Sequence, residues 1–165
     1  MFELTNIHPM IVHFPIALVI FGFIAELTGF ATRKELFGKM ASYLVIAGAI
    51  GVIAAYISGN AAGDSIEEAG ALGAAMELHE EAAKIAMIIS AIAGSLKLGL
   101  LLIKKYETVF KFASAIAVMA SVIAISITGH YGGELVYKHA AGVQIINTFT
   151  NDLNKNEKFK TDDND

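Results

Sequence analysis

Four long apolar segments constrain the fold of this chain more than any other feature of its sequence. They lie at residues 10–31, 40–63, 85–103 and 112–133. The second and fourth contain no Asp, Glu, Lys or Arg, and the first and third contain one such residue each, Glu26 and Lys97. Because a helix rises about 1.5 Å per residue, about 20 residues cross the roughly 30 Å of hydrocarbon in a bilayer. The sequence therefore predicts four transmembrane helices, at about 9–31, 40–59, 80–103 and 110–131.

The composition agrees with lipid as the solvent and excludes several classes of site. Hydrophobic residues make up 55% of the 165 residues, and the mean hydropathy is +0.59. The chain has no cysteine, which excludes disulfides, cysteine-ligated zinc and covalently attached c-type haem. The net charge is −4, and the basic residues are scattered through the connections, so no nucleic-acid partner is expected.

The charges in the connections predict the orientation in the membrane. Arg33, Lys34 and Lys39 lie between the first two segments, and Lys104, Lys105 and Lys111 lie between the last two. Basic connections remain in the cytoplasm, so both termini and the acidic connection at 64–81 are expected on the other side. Residues 1–150 form one membrane domain in this interpretation, and the polar tail at 151–165 is expected to be disordered.

Small residues recur at four-residue spacing along the second, third and fourth segments, which favours a compact up-down bundle. The same pattern also suits association with a second copy, so a homo-oligomer stays open. Glu26 and Lys97 lie at similar depths on the cytoplasmic side. Since a charge inside a membrane usually has a partner, we expect these two residues to form an ion pair.

All five histidines fall on the predicted non-cytoplasmic side. They are His8, His13, His79, His130 and His139. Any one of them can be an isolated polar residue at the headgroup level, but five on one side indicate a shared site. We expect Pro9 in the first helical turn and Pro15 inside the helix, where it bends the chain around His13.

The glycines around His130 predict that the chain turns out of the fourth helix. After Gly129, Gly132 and Gly133, apolar residues recur at helical spacing, which predicts a short amphipathic surface helix at about 134–148. That helix places His139 over the mouth of the bundle. A plain membrane anchor, with Tyr137 at headgroup depth, is the alternative.

Haem b is the first cofactor hypothesis, because histidines on facing helices of a bundle can hold haem iron from both sides. Four of the five histidines suffice for two haems, with His13 opposite His130 or His79, and His8 with His139 in a more superficial site. Such a chain is an electron-transfer protein or subunit rather than a self-contained enzyme. Two alternatives stay open: a Zn or Cu site that adds Glu80 and Glu134, and a structural or assembly subunit of a redox complex.

The histidine motifs resemble a known bacterial family. "HPMIVHFPIAL" at 8–18, His79 at the start of the third helix, and "GHYGGELVYKHAAGV" at 129–143 are similar to the membrane domain called domain of unknown function 2231. The resemblance implies a four-helix protein of the bacterial cytoplasmic (inner) membrane, with all five histidines on motif positions. Some members are joined to cytochrome c-like domains, which implies a redox partner of that type on the non-cytoplasmic side.

Overall fold

Four helices account for nearly all of the chain described by the computed structural model, which covers residues 4–63, 70–103 and 108–141. They are α1 (Leu4–Thr32), α2 (Glu35–Gly63), α3 (Gly70–Leu102) and α4 (Thr108–His139). Each is long and apolar enough to cross a membrane. The predicted all-α fold of four membrane-spanning helices is confirmed, although each helix begins before the span predicted for it and all except α3 also end after it.

Neighbouring helices run antiparallel, so the bundle is of the up-down type. Along α1 and α2, Gly48 faces Val19 and Gly59 faces His8, so later residues of α2 meet earlier residues of α1. The same reversal relates α2 to α3 and α3 to α4. The aromatic rings of Phe30 and Phe112 stack with centroids 5.5 Å apart, which closes the bundle between α4 and α1.

Close backbone contact explains why α1 and α2 pack tightly. A Cβ atom added to Gly48 would lie 2.7 Å from a methyl group of Val19, and one added to Gly22 would lie 2.7 Å from Val45. Inside lipid, burial of apolar surface does not drive helices together, so such small residues let dispersion contacts do so. We expect larger residues at Gly22 or Gly48 to push the two helices apart.

The interior contains small aliphatic residues from all four helices, and the large ones face outward. Val19, Val52, Ala86 and Ala124 belong to one buried cluster, while Phe14, Phe21 and Ile50 are among the many exposed apolar side chains. The interior also contains serine hydroxyls, and those of Ser90 and Ser121 form a hydrogen bond of 2.7 Å. This distribution is the one expected when the surrounding solvent is hydrocarbon.

Two predictions about helix ends are wrong. The helix α1 begins at Leu4, so Pro9 lies inside the helix and not in its first turn. Pro15 lies inside the helix as well. The chain does not turn out of the membrane at its glycines either, because α4 continues through them to His139. No separate surface helix is present among the residues that the structure describes. Positions 142–148 of the predicted surface helix and the tail at 151–165 lie outside the described residues.

Local energetics explain why α4 continues. A glycine inside a helix costs only about 1 kcal/mol relative to alanine, whereas an interrupted helix in lipid leaves several backbone groups without hydrogen bonds. The helix ends instead at His139, and the next residue, Ala140, has a left-handed φ of 52°. The backbone N–H of Ala140 donates to the carbonyl of Val136 at 3.1 Å, which is the bond of an αL cap.

Candidate functional site

His8 joins α1 to α2 through a hydrogen bond whose direction can be deduced. Its Nδ1 atom lies 3.0 Å from the hydroxyl oxygen of Ser58. With that hydroxyl donating its single hydrogen to the carbonyl of Ala55 at 2.9 Å, its lone pairs are left for the His8 ring, and we assign the bond in that direction. The hydrogen of the neutral ring therefore resides on Nδ1, and Nε2 carries a lone pair.

His79 joins α3 to α4 in the same tautomer. Its Nδ1 atom lies 3.2 Å from the backbone carbonyl oxygen of Thr128. A carbonyl can only accept, so Nδ1 donates, and the Nε2 atom of His79 also carries a lone pair. A histidine that donates through Nδ1 to a carbonyl while Nε2 is left for a ligand is the usual arrangement at metal and haem sites.

Each of these imidazole rings packs against a glycine of the neighbouring helix. A Cβ atom at Gly59 would lie 2.9 Å from Cε1 of His8, and one at Gly132 would lie 3.1 Å from Cε1 of His79. A side chain at position 59 would force the His8 ring to shift, and one at position 132 would press on the His79 ring by a few tenths of an ångström. This explains two glycines inside membrane helices without invoking a turn.

We call the two rings together the His8–His79 pair. Both are half-buried and lie at the same end of the bundle. Because α1 packs on α2 and α4, and α3 does the same, α1 and α3 face each other across the bundle. The bundle therefore offers two imidazole lone pairs from opposite helices at one end of the molecule.

The structure leaves His13 and His130 on exposed faces. Nδ1 of His13 donates to the carbonyl of Pro9 in its own helix at 2.5 Å. Nε2 of His130 lies 3.7 Å from a carboxylate oxygen of Glu134, and the His130 side chain is 70% exposed. His139 is half-buried in the last turn of α4. All five histidines thus lie at the same end of the bundle, and His8 and His79 are the two that bond to a neighbouring helix.

The acidic residues proposed as metal ligands have other neighbours. Glu134 forms an ion pair with Lys138, and a carboxylate oxygen of Glu80 lies against Gly63. Across residues 4–63, 70–103 and 108–141, no three His, Asp or Glu side chains are grouped so that they could hold a metal ion. Structural zinc sites usually have four protein ligands and catalytic sites three.

A buried ion pair lies in the other half of the bundle. Lys97 of α3 contacts Glu26 of α1, and their side chains are only 4% and 7% exposed. This contact crosses the bundle between helices that are not neighbours. The ion pair therefore ties α1 to α3 at the end opposite the His8–His79 pair.

Several residues that position the site were not identifiable from their own sequence context. Ser58, Gly59 and Thr128 act through contacts with another helix, about 50 residues away in the chain. Gly132 belongs to the motif around His130, but the sequence suggested a turn there rather than a surface for His79. The signal that would have found them is the antiparallel register, which sets Gly59 opposite His8.

Comparison with protein families identifies the family of this chain. The family described as "Predicted membrane protein (DUF2231)" matches residues 4–145. The chain belongs to this family. In this DUF2231 protein the matched region contains all four helices, all five histidines and the two glycines on which the His8–His79 pair packs. Searches among curated proteins and among solved structures each gave no match.

Substituting Gly59 by alanine tests the position of the His8 ring. The added Cβ would overlap the imidazole, so we expect His8 to move and its hydrogen bond to Ser58 to break. NMR of ¹⁵N-histidine-labelled protein reports which ring nitrogen carries the hydrogen, and the His8 signal should change from the Nδ1–H form to a mixture. Gly38→Ala is the matched control, because a Cβ at Gly38 meets nothing within 4 Å. An unchanged His8 signal in Gly59→Ala would contradict this packing.

Proposed function

We propose that this chain is a haem b-binding, electron-transfer protein of the bacterial cytoplasmic membrane, with His8 and His79 as the axial ligands. The observation that carries the proposal is the shared tautomer of the His8–His79 pair. Both rings commit Nδ1–H to another helix and leave the Nε2 lone pair for a ligand. Two imidazoles on facing helices are a ligand set that haem iron accepts.

The surroundings of the pair suit a redox centre. The protein supplies two half-buried imidazoles, each held by a hydrogen bond to a neighbouring helix. Bound haem would supply one-electron chemistry, whose potential depends on axial ligands, hydrogen bonds and burial. We propose one haem per chain rather than two, since His13 and His130 lie on exposed faces. No catalytic role is proposed for any residue.

The orientation is part of the same proposal. The His8–His79 pair and the Arg33–Lys34 connection lie at opposite ends of α1. If basic connections face the cytoplasm, the pair lies near the non-cytoplasmic surface, where a cytochrome c-type or other redox partner can approach. The termini would then lie on that same side.

A structural role is the second candidate, and one observation favours it. The bonds from His8 to Ser58 and from His79 to Thr128 each join two helices, so they stabilise the bundle with or without a cofactor. A chain used only in this way would be an assembly subunit of a membrane complex.

An absorption spectrum of protein purified from cells supplied with haem separates the two candidates. The proposal expects a strong Soret band, α and β bands on reduction, and about one haem per chain by pyridine haemochrome assay. A colourless preparation that also fails to take up added haemin would contradict haem binding and leave the structural role. The His13→Ala variant is the matched control for non-specific uptake, because His13 lies on an exposed face.

A further inference from the structure

A groove of about 470 Å³ runs along the outer face of the bundle between α3 and α4. Its floor contains the small side chains of Ala82, Ala120 and Ala124. Its walls include Ile85 and Ile123, each about half exposed. The α3 residues that line it extend from 78 to 89, which corresponds to about 16 Å along the helix. The groove therefore opens toward the lipid and has the size of a small-molecule site.

One end of this α3–α4 groove is polar. Glu81 and Tyr131 line that end, and apolar residues line the rest. A carboxylate can accept a hydrogen bond from a ligand hydroxyl, and a phenol can donate one to a ligand carbonyl. A ligand with a polar head and an apolar tail matches this distribution.

The polar end lies beside the His8–His79 pair. Tyr131 directly precedes Gly132, on which the His79 ring packs, and Leu78, which also lines the groove, directly precedes His79. The groove thus occupies the outer side of the same α3–α4 contact whose inner side contains His79. A head group at Tyr131 would thus lie against the residue next to the one on which the His79 ring packs.

We propose that the α3–α4 groove binds an isoprenoid quinone. The groove is open to lipid, so its occupant comes from the membrane. A quinone ring has carbonyl oxygens for the Tyr131 hydroxyl, its reduced form has hydroxyls for the Glu81 carboxylate, and its tail suits the isoleucine walls. Glu81 repels the phosphate that every phospholipid head carries, whereas a quinone head is neutral. The inference rests on the proposed function in one respect, because it names the redox partner of the same site.

Photolabelling tests the site directly. We expect an azidoquinone in phosphatidylcholine proteoliposomes to label peptides within 78–89 and 120–131, and added decylubiquinone to reduce the labelling about tenfold. Ala120→Leu fills the floor and should reduce it similarly. Ala54→Leu is the matched control, since Ala54 is exposed on α2. Labelling elsewhere, or labelling that Ala120→Leu leaves unchanged, would overturn the inference, as would competition by phosphatidylglycerol equal to that by decylubiquinone.

A cysteine probe covers the case in which Ala120→Leu does not fold. The chain contains no cysteine, so Ala120→Cys introduces a single thiol in the groove. Decylubiquinone should slow its reaction with a membrane-permeant maleimide several-fold, and equal rates with and without the quinone would overturn the inference. Both experiments are run on haem-free and haem-loaded protein. If the quinone protects the thiol in a chain that never binds haem, the proposed function is overturned and the groove site is supported. If the chain binds haem but the quinone gives no protection, the groove site is overturned and the proposed function is supported.

Discussion

Glu26→Gln is expected to destabilise the protein strongly, because it leaves the Lys97 ammonium buried without its counter-charge. The two side chains are almost fully buried on helices that face each other across the bundle. Removing one partner of a buried pair costs about 3–5 kcal/mol, most of it from the uncompensated charge that stays behind. For a chain of this size that corresponds to a fall of roughly 10 °C in the unfolding midpoint, measured by differential scanning fluorimetry in detergent.

The double variant Glu26→Gln, Lys97→Met should be less damaged than either single variant. It removes both charges, so no unpaired ion stays in the interior, and the coupling between the two substitutions should exceed about 1 kcal/mol. Glu35 and Lys39 provide a matched control, since they form an exposed ion pair of 3.7 Å within α2. Glu35→Gln should leave the midpoint nearly unchanged. Additive losses in the Glu26 and Lys97 variants would show that the ion pair does not govern stability.

The second large effect concerns haem binding. His8→Ala and His79→Ala should each weaken haem binding by more than about 100-fold, since loss of a group that only supports a ligand already costs up to about 100-fold. Ser58→Ala removes only the support for His8 and should cost about 10–100-fold. Titration of haemin into the purified haem-free variants, followed at the Soret band, gives these affinities.

His13→Ala and His130→Ala are the controls for this series. Both residues lie on exposed faces of the same end of the bundle, so their loss removes an imidazole without touching the pair. We expect wild-type affinity in both. Equal losses in all four histidine variants would mean that haem associates with the histidine-rich surface and not with the His8–His79 pair.

Much of the fold could be predicted from the sequence because lipid simplifies the problem. A span needs only length and apolar composition, and a buried charge needs a partner, so the four helices and the contact between Glu26 and Lys97 could be anticipated. The ends of the helices could not. Glycines usually mark turns, yet Gly132 lies inside α4, where the His79 ring packs against it.

The choice of histidine partners was also beyond the sequence. The topology alone places all five histidines at one end of the bundle. Which of their rings point to a neighbouring helix depends on the helix register and on the face that each helix turns inward. The His8 and His79 rings lie where they do because glycines on α2 and α4 admit them and polar groups on those helices bond to them. His13, five residues from His8, falls on an exposed face. Apolar patterning is weak on helices that contact protein on one side and lipid on the other.

Electron paramagnetic resonance of the oxidised, haem-loaded protein tests the central claim most directly. Two imidazole ligands produce a low-spin ferric centre, and loss of either ligand leaves a site that water can occupy and that becomes high-spin. We predict a low-spin spectrum for the wild type and for His13→Ala, and a high-spin spectrum for any haem retained by His8→Ala or His79→Ala. A high-spin wild-type spectrum, or a low-spin spectrum that survives loss of both His8 and His79, would contradict the account.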